Sequence, residues 1–257
     1  MQEITSRKNH QLQHLKKLGM DKAYRDATGE FLCDGVKLYQ EAVQAGMEIT
    51  LLATSRRELA EDTQCPAIFV PEDVLESISP MKTPQPVLFA CKKTDRVPKV
   101  EPSRVLVLEG VQDPGNVGTL LRSASAFGVD QVILLGACAD LYSPKTVRAA
   151  MGALFRQRVC KMTLEELLDY VNKNQIVLLG ADLAEDSWDA RKPMPQWVAF
   201  AIGSEGRGLS PALRACCHGT VRIPMEAASE SLNAGVAGSI LLWEMYRRRE
   251  ECWRWRN

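Results

Sequence analysis

The chain has 257 residues, 46% of them hydrophobic and 25% charged, with a formal net charge of zero. These values suit one large or two smaller globular domains and leave any nucleic-acid surface to local clustering of cations. The polar, basic stretch from Met1 to Lys17 lacks a secretory apolar core, and no run approaches the roughly 20 apolar residues of a membrane span, so a soluble cytoplasmic protein is expected.

From Ile4 to Tyr24 the pattern predicts one helix, with Leu12, Leu15 and Leu18 on one face and Arg7, Lys8, Lys16, Lys17 and Lys22 outside it. That cationic face is either solvated or turned to phosphates. His10 and His14 are four apart there, but with no acidic or Cys partner nearby in sequence no metal site is expected. Phe31–Cys33 reads as a short strand and Val36–Ala45 as a helix stopped by Gly46. Ile49–Ala53, Ala67–Val70 and Val87–Ala90 are further strand candidates, which makes a small α/β unit. Between Pro80 and Arg104 lie five of the thirteen prolines, a linker composition that places a domain boundary near residue 97. The expected domains are therefore 1–97 and 98–257.

The second half changes rhythm. Val105–Leu108, Val132–Leu135, Ile176–Leu179 and Val198–Ile202 are short, unbroken apolar runs, the pattern of parallel strands covered on both faces. Helices fall between them: Asn116–Phe127, with Asn116 able to cap it and Gly128 as the stop; one opened by a Thr163–Glu166 capping box; and one after Ser210-Pro211. Alternation of strand and helix predicts an α/β fold with a parallel sheet. The eight cysteines include no C-x-x-C pair and read as reduced, mostly buried thiols.

Three Gly-, Ser- and Asn-rich patches follow apolar runs: Asp113 to Gly128, Ala201 to Ser210 and Arg222 to Gly238. Loops at the ends of buried strands are where α/β proteins bind ligands. Dinucleotide, P-loop, nucleophile-elbow and zinc-protease fingerprints are all absent. Gly203, Gly206 and Gly208 surround Glu205 and Arg207, and Ser231-Leu-Asn233 opens a helix crowded with small residues, Ala234, Gly235, Ala237, Gly238 and Ser239. So much glycine costs helix stability, and something nearby needs the space.

Read together and in this order, EGVQDPGNVG at 109–118 with Arg122, IGSEGRG at 202–208, and IPM at 223–225 with SLN at 231–233 resemble the SpoU/TrmH family of RNA ribose 2′-O-methyltransferases, within the SPOUT superfamily. The resemblance covers nearly the whole chain. It implies a knotted C-terminal methyltransferase domain, a smaller N-terminal α/β L30e-like RNA-binding domain, and a homodimer with its active site at the subunit interface. It implies S-adenosylmethionine as cofactor and no metal. The RNA is ribosomal (23S) ahead of transfer RNA, and the alternatives are an RNA-binding protein without turnover or a base methyltransferase. By motif position it assigns Arg122, Asn116, Glu205, Ser231 and Asn233 to catalysis, and Gly203, Ile223 and Leu232 to the cofactor. Asp34, where many members have Glu, and Ala150, where Ser is frequent, depart from the pattern. The basic and aromatic tail from Arg247 to Arg256 offers either RNA stacking or dimer packing.

Overall fold

Two capped helices, at His10–Met20 and Lys22–Thr28, stand where the apolar stripe predicted one. The structure, a computed structural model, describes residues 2–94, 97–226 and 231–254, with side chains through 248. Its first elements are β1 (Gln2–Glu3), α1 (His10–Met20), α2 (Lys22–Thr28), β2 (Glu30–Asp34), α3 (Val36–Gln44), β3 (Ile49–Thr54), α4 (Arg57–Glu61), β4 (Ala67–Phe69), α5 (Glu72–Ile78) and β5 (Val87–Lys92). Then come β6 (Arg104–Glu109), α6 (Pro114–Ala126), β7 (Gln131–Leu135), α7 (Pro144–Ala150), β8 (Val159–Met162), α8 (Leu164–Lys173), β9 (Val177–Ala181), β10 (Trp188–Asp189), β11 (Val198–Ile202), α9 (Pro211–Cys216), β12 (Gly219–Arg222) and α10 (Ala234–Arg254).

The chain forms two compact units, residues 1–95 with 140–155, and residues 96–139 with 156–257. In the first, the sheet runs β1-β4-β3-β5-β2, parallel at β1/β4 and β3/β4 and antiparallel on either side of β5. Leu12, Leu15 and Leu18 of α1 do form the buried stripe, packed with Val74, Leu75 and Ile78 of α5 over Leu32, Ala53, Leu88 and Ala90. The helix bounds differ because side-chain caps override the stripe: Asn9 accepts from Gln11 N–H to start α1, and Asp21 accepts from Tyr24 N–H to start α2. Ile4 is extended, its N–H bonded to Phe69 O.

The segment 140–155 belongs to this first unit although it lies between β7 and β8 in sequence. Phe31 packs at a tilt against Tyr142 and Phe155, at centroid distances of 4.8 and 6.4 Å, and buried Arg25 meets Asp140 at 2.6 Å.

In the second unit every strand is parallel, in the order β10-β12-β9-β11-β6-β7-β8. The four apolar runs are its central strands β6, β7, β9 and β11. The strands that the pattern did not name, β8, β10 and β12, are short, incompletely buried and lie toward the two edges of the sheet, so their composition carries little signal. Leu167 and Val171 of α8 and Leu213 of α9 cover Val105, Val107, Ile133, Ala199 and Ala201. The Thr163–Glu166 capping box is present in full. Asn116 does not cap α6; Asp113 does, accepting from Asn116 N–H at 2.8 Å, with Pro114 at the first helical position. In the Arg247–Arg256 tail, everything beyond Arg248 lies outside the described side chains.

Candidate active site

Strands β6 and β11 are neighbours, with Leu108 opposite Ile202, so the loops carrying the first two patches leave the sheet at the same level. After β6 the chain moves toward β7, and after β11 it moves the other way, toward β12. This reversal makes the carboxyl ends of β6 and β11 a topological switch point, where open α/β sheets leave a crevice for ligands. The third patch leaves β12 on the same edge, one strand beyond β9.

Side chains tie the first two loops together. Glu109, the last residue of β6, accepts from Ser210 N–H at 2.7 Å and from Ser210 Oγ at 2.6 Å. The same hydroxyl accepts from Leu213 N–H as the cap of α9. Between them the 203–208 loop closes on itself through paired Ser204 and Gly208 backbone bonds of 3.0 and 2.9 Å. A Cβ at Gly203 would stand 2.1 Å from the Gly208 carbonyl carbon, which no relaxation of a side chain can relieve.

Asn116, 8% exposed, donates from Nδ2 to Glu205 Oε1 at 2.7 Å. Burial pushes the Glu205 carboxyl up. The Asn116 amide and the backbone N–H groups of Glu205, Gln112 and Asp113 outweigh it and hold the carboxyl below its ordinary value. Asn233 caps α10, accepting from Val236 N–H at 3.2 Å. A Cβ on Gly235 would lie 3.0 Å from Asn116 Oδ1 and 3.1 Å from Asn233 Oδ1, so any side chain there would have to push both amide oxygens back by a few tenths of an ångström. Asn116, Glu205 and Asn233 are thus gathered at one place. Ser231 and Leu232 are exposed just ahead of α10, and Ile223 is half-buried just after β12. Arg122 does not join them: it is exposed, about 9 Å farther along α6 by helical rise, and makes no bond among the described residues.

Motif reading marked most of these residues but missed the Glu109–Ser210 clamp, whose partners are 101 residues apart. A helix-cap signal at Ser210 was readable; its second bond was not. The space implied by the small residues of α10 is filled by α6. A Cβ on Gly238 would come within 2.3 Å of Leu120 Cδ2 and 3.4 Å of Ile202, and the Ser123 and Ser239 hydroxyls meet at 2.7 Å.

The loops fit a cofactor that presents a polar ring edge. Among the described residues, Ile223 and Leu232 make no backbone hydrogen bond, so their N–H and C=O groups are open to a ligand. Among the described residues no group of three His, Cys, Asp or Glu side chains stands together as metal ligands would. His14 has both ring nitrogens engaged, by Tyr24 Oη and by Glu30, each at 2.9 Å.

Comparison with known proteins gives the chain its relatives. Residues 103–243 match the SpoU rRNA methylase family, and residues 9–89 match the MRM3-like substrate binding domain. The 23S rRNA (guanosine(2553)-2′-O)-methyltransferase RlmP of Bacillus subtilis is 30% identical over 249 residues, covering 95% of this chain and 99% of that protein. The 23S rRNA (uridine(2479)-2′-O)-methyltransferase of Streptomyces viridochromogenes is 32% identical over 265 residues, covering 96% and 92%. A solved AdoMet-bound rRNA methyltransferase from Sinorhizobium meliloti superposes with a TM-score of 0.86 at 28% identity, over 96% of this chain and 98% of that one. The SpoU methyltransferase AviRb from Streptomyces viridochromogenes, in complex with AdoMet, gives 0.84 at 30% identity over 94% and 98%. With loops, sheet order and sequence in agreement, the chain belongs to the SpoU rRNA methylase family.

Proposed function

We propose that this protein transfers the methyl group of S-adenosylmethionine to a ribose 2′-hydroxyl of 23S ribosomal RNA. The observation that carries the reading is the Asn116–Glu205 contact at the β6/β11 switch point, with the backbone groups of Ile223 and Leu232 unbonded on the loop that follows β12. Gly203, Ile223 and Leu232 would hold the cofactor, whose sulfonium supplies an electrophilic methyl group. Glu205 is kept ionised by the Asn116 amide and neighbouring backbone N–H groups, a fixed negative charge that a guanidinium can meet. The planar guanidinium fork of Arg122 suits the target phosphate or the alkoxide that develops as the 2′-oxygen loses its proton. Ser231 and Asn233 flank the place where the ribose must sit, and positioning of the hydroxyl against the methyl carbon supplies much of the acceleration.

Further parts of the reading concern assembly. The apolar side chains Leu232, Val236 and Trp243, 36%, 46% and 47% exposed, line one side of α10 and its approach. A second copy of the chain covers them and brings an otherwise unengaged Arg122 into a shared site. The order β9-β11-β6, in which β11 enters between two strands that precede it, supports the threaded trefoil the family resemblance implies. The first unit holds the RNA and the second transfers the methyl, in the cytoplasm.

The test is methyl transfer from labelled S-adenosylmethionine to ribosomal RNA lacking its native modifications, followed by nucleoside analysis. A labelled 2′-O-methylnucleoside in 23S RNA is expected. Label on a base, or label only in transfer RNA, refutes the corresponding part. Cofactor binding without transfer to any RNA points to a binding protein instead.

A further inference from the structure

The cations that the sequence offers to RNA on α1 and nearby are largely spent inside the first unit. Arg7 pairs with Asp73, Lys22 and Lys93 share Asp26, and Lys92 meets Glu30. Lys17 lies over the Tyr24 ring. Each pair is worth little to stability, yet it cancels charge that a phosphate would otherwise feel.

Another group of cations is unspent. Lys37, Lys82 and Lys145 are exposed and Arg148 is half-buried, and among the described residues none of the four forms an ion pair. Three distant segments of the first unit bring them to one place. The Arg148 guanidinium reaches Thr83 O and Thr83 Oγ1, both at 3.4 Å, directly beside Lys82. Lys145 precedes Arg148 by three residues on α7, hence on the same face. Gly35, two residues ahead of Lys37, lies against Gln85, whose side chain would be 3.6 Å from a Cβ at that glycine. Two acids lie nearby: Asp34 is only 8% exposed, with one oxygen taking the Ser79 hydroxyl and the other buried, and Glu41, one turn after Lys37 on α3, is half-buried with an interaction of its own, so neither is a free counter-charge. Thr83 and Gln85, both exposed, add polar groups between the cations.

We propose that this patch, assembled from residues 35–37, 82–85 and 145–148, is the surface on which the phosphate backbone of the RNA docks, ahead of the face of α1. Arg148 is its centre, because a guanidinium fork grips phosphate oxygens in two directions where a lysine acts as a point charge. It is contributed by a segment embedded in the methyltransferase sequence, so the RNA-docking surface depends on both parts of the chain. The inference rests on the proposed function.

The experiment measures affinity for an unmodified 23S RNA transcript as a function of salt, with the full chain. Each phosphate that is no longer neutralised lowers the slope of log affinity against log salt by about 0.7 to 0.9. The Lys82→Gln/Lys145→Gln/Arg148→Gln variant is expected to lose about 2 from the slope and to bind the transcript much more weakly, with S-adenosylmethionine affinity unchanged. Lys82→Gln/Lys145→Gln, which removes no hydrogen bond, should lose more than half of that amount and serves if the triple variant is unstable. An unchanged slope in a folded variant overturns the proposal, as does a larger loss from Lys16→Gln/Lys17→Gln. A wild-type chain that neither binds nor methylates the transcript removes the function as well, which separates that failure from failure of the patch alone.

Discussion

Arg122 and Glu205 carry opposite charges and stand in opposite situations. Arg122 is exposed and unengaged, whereas Glu205 is tied to Asn116 and to backbone N–H groups. A side chain with no bond in the free protein does its work only once substrate or a second copy arrives. Arg122→Ala is therefore expected to lower single-turnover methyl transfer by about 100-fold or more, with S-adenosylmethionine affinity by calorimetry within about twofold. Near-normal turnover would remove Arg122 from the chemistry. Glu205 makes a prediction in pH. Its folded value lies below the ordinary 4.5, so its bonds stabilise the loop wherever the unfolded carboxyl is ionised. That contribution is full at neutral pH and is lost as pH falls through the lowered folded value. Melting temperatures of the wild type and Glu205→Gln should differ at pH 7 and converge toward pH 3, whereas a constant gap would mean that the carboxylate's bonds do not matter. Both residues were legible as motif members. Their geometry was not: the Asn116–Glu205 bond spans 89 positions, and no local pattern encodes a partner that far away.

At the scale of elements, composition told more than boundaries did. Unbroken apolar runs located the four central parallel strands, and the crowd of small residues after Asn233 signalled a close approach. What it approaches was hidden until α6 and α10 were seen together. Conversely, Leu12, Leu15 and Leu18 fixed the buried face of α1 but not its ends, because Asn9 and Asp21 offer cap oxygens that outweigh a continuing stripe. The α6/α10 crossing is open to test at Gly238. Alanine there gains roughly 1 kcal/mol in helix propensity, but any Cβ must displace Leu120, which is fully buried and has Ile202 behind the same spot. Gly238→Val is expected to destabilise by about 1–3 kcal/mol through overpacking. Adding Leu120→Ala should recover part of that loss, since the methyl groups then occupy the space the leucine leaves. Urea midpoints for the two single variants and the double variant check it, and strict additivity would place the strain elsewhere.

For the molecule as a whole, the least legible feature is that residues 140–155 fold with the first unit. The local signals there, Ser143 as cap and Pro144 behind it, announce a helix but not which core receives it. The answer lies in long-range chemistry, above all in Arg25, which is 4% exposed and whose guanidinium reaches Leu18 O and Asp140. A buried guanidinium stripped of its carboxylate is costly, about 3–5 kcal/mol for pairs of this kind. Asp140→Ala is expected to destabilise the first unit by about 3 kcal/mol. The chain itself provides the means to see which unit responds. The five tryptophans, at 188, 197, 243, 253 and 255, all follow residue 155 in sequence, and the three with described side chains lie in the second unit, so fluorescence reports that unit while far-ultraviolet circular dichroism reports both. In urea, the circular dichroism transition of Asp140→Ala should gain an early phase, and the fluorescence midpoint should stay near that of the wild type. Replacing both partners, Arg25→Met with Asp140→Leu, should abolish most of the early phase, because an apolar pair leaves no charge buried. A fluorescence midpoint that moves together with the circular dichroism would show instead that the two units unfold as one, and that the Arg25–Asp140 pair stabilises the whole chain.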